Sequence, residues 1–327
     1  MLRPKLRSPA IFALLLFLFA LPSLRAQSGG ADSVEPTLRV GARLVNVIFS
    51  VHDKHGGIVS TLGREDFLVT EDGVAQKVKF FKRETDLPLT LALMIDTSGS
   101  QARVLGIEQD AGAEFLRSVL RPKDMALLLS FDVNVNLEQD YTSDVSELRS
   151  ALRKVRINTG GLGGSPGMGG GPLPTIPRGT LLYDAVFLAA DEKLKSEMGR
   201  KAMVILTDGE DQGSQTSIQE AIEAAQKADV ICYVIEIEDN GMYNGFGMGK
   251  MKQLAEQTGG RVLEVGNRAE KLRKALEQIS GDLRSQYSIG YTSTNKNYDG
   301  KFRRVELKTV SNEFKVQARK GYYAPKQ

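Results

Sequence analysis

From Leu89 to Ser280, strand-length apolar runs alternate with segments of helical spacing, and on either side of that stretch the helical spacing stops. The runs Leu89–Ile95, Met125–Phe131, Ala202–Leu206, Val230–Ile237 and Val262–Val265 are continuously apolar, as strands covered on both faces must be. Between them, Ala102–Leu120, Val145–Val155, the segment from Leu181, Ile218–Ala228, Met251–Gln257 and Ala269–Ser280 carry apolar residues at helical intervals. Val133–Leu137 has the length of a short antiparallel edge. This order predicts parallel pairing in a doubly wound, mostly parallel, Rossmann-like α/β sheet over residues 87–283.

The flanks read as strands only. Val45, Val47, Phe49 and Val51 alternate with their neighbours, and Phe67–Phe80 reads as a hairpin turning at Asp72-Gly73. Beyond Asp282, Tyr287, Ile289 and Tyr291 alternate, followed after a turn at Asp299-Gly300 by Val305 and Leu307, then by Phe314, Val316 and Ala318. A few strands alone cannot close a core. The economical arrangement joins residues 39–86 and 284–325 in one small β-sandwich into which the α/β unit is inserted.

The first 26 residues have the form of a signal peptide: a basic start, an unbroken apolar run from Ala10 to Leu21, and Ala26 at the cleavage point. The run is too short to span a bilayer comfortably, so secretion or a periplasmic location is expected, and no later run resembles a transmembrane helix. Residues 27–38 read as a flexible lead-in. Removing the leader with its four basic residues turns the formal charge of +3 slightly negative, and no basic patch argues for nucleic acid. The single cysteine, Cys232, excludes an intrachain disulfide and reads as a buried thiol.

Three separated places carry oxygen-bearing side chains at matching positions of the predicted sheet. Asp96 ends the first strand of the α/β unit, with Ser98 and Ser100 behind it in a loop that Gly99 can bend. Asp208 follows the strand through Leu206, and Thr180 stands directly before a helix. Ligand sites of open parallel sheets collect at the carboxyl ends of their strands. Each place has a plainer reading alone: a turn and helix cap for the Asp-x-Ser-x-Ser loop, an N-cap for Thr180, a turn for Asp208. Their joint appearance at one sheet edge favours a hard cation instead. All five donors are oxygen, the two carboxylates neutralise a divalent ion, and a coordination position is left for a carboxylate from outside.

The runs Leu-Met-Ile-Asp-Thr-Ser-Gly-Ser, Gly-Thr-Leu-Leu-Tyr-Asp-Ala and Val-Ile-Leu-Thr-Asp-Gly-Glu-Asp resemble the von Willebrand factor type A domain with its metal-ion-dependent adhesion site, over roughly residues 87–283. The whole order also resembles bacterial secreted proteins that carry this domain between β segments. The resemblance implies Asp96, Ser98, Ser100, Thr180 and Asp208 as the metal positions, Mg²⁺ (or Mn²⁺ or Ca²⁺) as cofactor, and a protein partner presenting Asp or Glu. It implies adhesion rather than catalysis. The rival readings are a metal-dependent hydrolase using Asp96 and Asp208, helped by Glu210 and Asp211, and a structural protein whose site binds nothing. One departure from the family pattern is the stretch 158–179, with nine glycines and four prolines, which predicts a mobile loop before Thr180. His52 and His55 read as a solvated turn, and residues 236–250 as a surface loop.

Overall fold

The computed structural model describes residues 44–84, 87–158, 179–237 and 246–326. The leader, the lead-in, nearly all of the Gly-rich stretch 158–179 and residues 238–245 lie outside the described residues.

Six strands form the central sheet: β5 (Leu89–Asp96), β6 (Met125–Phe131), β7 (Val135–Thr142), β8 (Arg200–Thr207), β9 (Val230–Glu236) and β10 (Val262–Glu264). Their order is β10-β9-β8-β5-β6-β7. All neighbours are parallel except β7, which runs antiparallel to β6. Every residue of β5, β8 and β9 is buried, which is why these strands are apolar almost without interruption. Along β5 the side chains split by parity. Leu91, Leu93 and Ile95 join one core with α1 (Leu105–Val119), α2 (Val145–Leu152) and α6 (Ala269–Arg284). Ala92 and Met94 face the other core, with α3 (Leu182–Leu188), α4 (Ile218–Lys227) and α5 (Phe246–Thr258).

Local chemistry sets the helix ends. Asp144 accepts a hydrogen bond from Ser146 N at the start of α2, and Ser217 and Glu220 form a reciprocal capping box at the start of α4. The first turn after Asp96 is a 3-10 turn, Gly99–Arg103, so α1 begins at Leu105 rather than at Ala102. Residues 246–250, read from sequence as surface loop, are the opening of α5. There Gly247 passes so close to the carbonyl of Gly209 that a Cβ would collide with it.

The flanks build two facing four-stranded sheets. One has the order β13-β1-β11-β4, from β1 (Leu44–His52), β4 (Val78–Glu84), β11 (Gln286–Thr292) and β13 (Lys315–Ala318). The other has the order β14-β12-β2-β3, from β2 (Phe67–Glu71), β3 (Val74–Ala75), β12 (Phe302–Thr309) and β14 (Gly321–Tyr323). Strands from before and after the α/β unit pair directly: Phe49 faces Tyr287 across β1 and β11, and Gln286 faces Glu84 across β11 and β4. The shared core centres on Phe49, Phe67, Phe81 and Tyr287, with Phe49 stacked on Tyr287 at 5.4 Å and edge-on to Phe67 at 5.0 Å. The hairpin turn is at Asp72-Gly73, both with positive φ. A buried carboxylate, Glu71, is satisfied by hydroxyl donors: Tyr291 at 2.8 Å, Ser293 at 2.5 Å and Tyr322 at 3.0 Å.

His52 is not part of a solvated turn. It is 5 % exposed, and its Nε2 lies 2.8 Å from Oδ1 of Asp282 in α6, while Arg261 Nη2 lies 3.0 Å from Oδ2. Of the two histidines only His55 is exposed. α6 runs on through Gly281, whose missing Cβ leaves room for Ile58, and after Ser285 the chain enters β11. Arg200, at the start of β8, donates to the carbonyls of Leu87 and Leu283 on the same side. Cys232 is fully buried, and burial pushes its thiol up to about 12.

Candidate metal centre

The carboxyl ends of β5 and β8 are neighbours, which sets Asp96 beside Thr207 and brings Asp208 next to the loop after β5. Asp96 is fully buried. Its Oδ1 accepts from the backbone N–H of Ser98 at 2.9 Å and its Oδ2 from the Thr207 hydroxyl at 2.7 Å. Ser98 Oγ and Ser100 Oγ lie 3.0 Å apart. Ser100 Oγ donates to Oδ2 of Asp208 at 2.5 Å, and Oδ1 of Asp208 accepts from Glu210 N at 3.1 Å. The structure therefore links Asp96, Ser98, Ser100 and Asp208 in one hydrogen-bonded chain.

Thr180 enters by a different route. Its N–H donates to Gln212 O at 3.2 Å, and Gln212 N donates back to Thr180 O at 2.9 Å, so the residue is held against the loop that begins at Asp208. Gly179 precedes it because the Gln212 carbonyl occupies the space of a Cβ. Leu181 N donates to Asp132 O at 2.7 Å, which fixes the same segment to the end of β6. The capping role that Thr180 could have had alone is not used: Leu181 occupies the cap position of α3, and the first N–H groups of that helix are met by Asp211 and Ser214 instead. Thr180 is 6 % exposed.

The aspartates serve as turn formers with one oxygen each, as the plainer reading expects, but this leaves an acidic pair facing one place. Burial, then the charge of Asp208, pushes Asp96 up to about 7, partly offset by hydrogen bonds from Ser98 and Thr207. A carboxylate held under such stress is relieved by a positive charge. The all-oxygen donor set, with two carboxylates and several hydroxyls, suits a hard divalent ion. Among the described residues no three His, Cys, Asp or Glu side chains cluster as a metal site, so the hydroxyls must carry part of any coordination.

Glu210 and Asp211 do not join the pair. Glu210 is exposed and accepts from Gln212 Nε2 at 2.8 Å. Asp211 holds the start of α3, accepting from Tyr183 N at 3.0 Å and from Ser214 Oγ at 2.6 Å. A two-metal hydrolase needs further carboxylates around the ions, and among the described residues these two are engaged elsewhere.

Sequence reasoning missed three residues here. Thr207 positions Asp96 from the neighbouring strand. Asp132, at the end of β6, accepts from the Thr97 hydroxyl at 2.7 Å and from Asn158 Nδ2 at 3.1 Å, bracing the loop from beneath. Glu108, in the first turn of α1, is fully buried, and among the described residues neither carboxylate oxygen has a hydrogen-bond partner. Burial, then the charges of Asp96 and Asp208, raise its pKa well above the ordinary range. Its helical phase was a usable signal, because residues 108, 111, 112 and 115 share one face and the last three are buried apolar or glycine positions.

No protein-family model matches the sequence, and no curated protein does. Solved structures with a likeness to this chain include proximal thread matrix protein 1 from the mussel byssus with a zinc-occupied MIDAS motif (17 % identity, 66 % of this chain and 50 % of that one, TM-score 0.49). They also include the conserved hypothetical protein BatB from Bacteroides thetaiotaomicron (16 %, 59 % of this chain and 98 % of that one, TM-score 0.45). A third is the vWF domain of the type V pili tip protein Mfa5 from Porphyromonas gingivalis (12 %, 60 % and 94 %, TM-score 0.43). The present chain spans half the length of the byssus protein.

Proposed function

We propose that this chain is a protein-binding module of adhesion type. It holds a divalent cation, Mg²⁺ or else Mn²⁺ or Ca²⁺, with Asp96, Ser98, Ser100, Thr180 and Asp208, and captures an Asp or Glu side chain of a protein partner on the free face of the ion. The observation that carries this reading is the hydrogen-bonded chain from buried Asp96 through the two serines to Asp208, with Ser100 and Asp208 reached from solvent. A cation there would take the two carboxylates and the lone pairs of the serine hydroxyls as ligands, the hydroxyl protons turning away, and leave water or a partner carboxylate for the remainder. The sequence likeness to von Willebrand factor type A domains supports the same residues. The leader at 1–26 supports secretion or a periplasmic location, and among the described residues no helix is long and apolar enough to cross a membrane. The sandwich is then the mount on which the binding edge is presented.

The experiment is a pair of measurements. Calorimetric titration with Mg²⁺, Mn²⁺ and Ca²⁺ should show saturable binding to the native chain and none to Asp208→Ala. A pulldown from the native secreted proteome should yield a protein retained with Mg²⁺ and released by chelator, and lost with Asp208→Ala. Equal heats from both proteins, or capture indifferent to chelator, would overturn the reading.

A further inference from the structure

A second site lies at the other end of the α/β unit, where the sandwich meets the turn after α4. A cleft of about 540 Å³ opens between the end of α4, the loop joining β11 to β12 and the residues after β14. A smaller cleft of about 330 Å³ adjoins it beside the start of β8, and Asn46, Gln226, Asp229 and Arg319 line both. The larger volume is within the range of about 300–1,000 Å³ typical of small-molecule sites.

The walls are unevenly charged. Lys227, Lys296, Arg303, Arg319 and Lys326 line the larger cleft against Asp229. Lys195, Arg200 and Lys201 are added in the smaller one against Glu197. Some of these cations are already engaged: Arg303 with Glu71, Arg319 with Asp229, Lys227 with Glu223, Lys195 with Asp191. Lys201 is not. It is 8 % exposed, and among the described residues no hydrogen bond or ion pair engages it. Burial lowers its pKa, against the longer-range pull of Asp229 and Glu197. A lysine side chain held largely inside the wall of an open cleft, with no partner of its own among the described residues, is a place for an anion. Lys326 likewise has no carboxylate partner among the described residues and is exposed on the wall of the larger cleft.

We propose that this two-lobed cleft binds an acidic oligosaccharide, a hydroxyl-rich chain of rings carrying carboxylates. Three features select that class. The cations without a carboxylate partner among the described residues are divided between the lobes, Lys296 and Lys326 in the larger and Lys201 in the smaller, which suits charges repeated along a chain better than one phosphate group. The two lobes share a wall, so an occupant that fills both is elongated. The lining also carries side-chain amides and a hydroxyl, Asn295, Asn297 and Thr292, together with the ring of Tyr298. Such groups both donate to and accept from sugar hydroxyls, and an aromatic ring covers the apolar face of a sugar. The site is independent of the metal edge, which lies at the opposite ends of the parallel strands.

The test is calorimetric titration of the full chain with hexagalacturonate, with maltohexaose, AMP and inorganic phosphate as comparisons. Saturable binding of hexagalacturonate is expected, at least tenfold tighter than any comparison and unchanged by chelator. Lys296→Glu with Lys326→Glu, two exposed positions, should weaken it at least tenfold with an unaltered melting temperature, as should Lys201→Met if that variant melts like the native chain. Absence of saturable binding, equal affinity for maltohexaose, tighter binding of AMP or phosphate, or unchanged affinity in the exposed double variant would each overturn the proposal.

Discussion

The hydroxyl of Thr207 donates to the buried carboxylate of Asp96 over 2.7 Å, and the same oxygen accepts from Gly209 N at 3.1 Å. One side chain thus orients the acid on the neighbouring strand and shapes the turn that carries Asp208. Thr207→Val keeps the volume and removes both hydrogen bonds. Supporting residues of this kind typically contribute about 10–100-fold to metal affinity. The variant should therefore bind Mg²⁺ at least tenfold more weakly by calorimetry while keeping the native fold by circular dichroism.

Protons should compete with the cation at Asp96. Because its carboxyl is pushed up to about 7 by burial and by Asp208, it is largely protonated below that pH and must lose the proton to bind a metal. Mg²⁺ affinity should then fall by roughly tenfold for each pH unit below 7 and level off above about 8. A flat profile between about pH 5.5 and 8 would refute a ligand role for this carboxylate.

Glu108 should destabilise the fold increasingly as pH rises. Its folded pKa is raised, so the unfolded chain releases its proton at lower pH than the folded chain does, and stability falls with pH above the ordinary glutamate range. Glu108→Leu fills the same space without a charge. Denaturant unfolding should show it more stable than the native chain, by on the order of 1–2 kcal/mol at about pH 8 and by less at about pH 5.

Asp282 joins His52 of the sandwich to Arg261 of the α/β unit through contacts of 2.8 and 3.0 Å, with its own carboxylate fully buried. Removing one partner of a buried ion pair costs about 3–5 kcal/mol, and the partial exposure of Arg261 sets the lower end here. Asp282→Ala should lower stability by about 3 kcal/mol in denaturant unfolding, whereas the exposed pair of Lys274 and Glu270 should contribute little when removed.

Ser217→Ala removes half of the capping box of α4 and should cost about 1 kcal/mol, read as a lower denaturation midpoint with an unchanged slope.

The fold was legible because its code is periodic. The apolar runs of β5, β8 and β9 announce strands covered on both faces, and the alternation of Val45, Val47 and Phe49 announces a sandwich with one wet side. Asp96, Ser98, Ser100 and Asp208 could be gathered because strand ends have a common edge. What escaped depends on the partner rather than on the segment. β14 has only three residues, too few to display a period, and it is a strand because β12 offers Arg304 opposite Gly321. The glycines of early α5 disfavour a helix locally, yet close approach to Gly209 requires one of them there. His52 looked like a turn residue because Asp282, its partner, is 230 positions away. Thr180 was read at this edge from its place before a helix, whereas the backbone bonds to Gln212 that hold it beside the loop after Asp208 leave no mark on residue identity.

Gln286 and Glu84 face each other where the chain leaves the sandwich and where it returns. In topological terms β4 and β11 are two arms of a hairpin whose turn has been replaced by the α/β unit. Closing a loop costs free energy that grows only with the logarithm of its length, so an insert of roughly 200 residues burdens the pairing little more than a modest one. The sandwich is thus a socket: a different domain could be spliced between the same two arms, or a short turn placed there, and the flanking strands would keep their order.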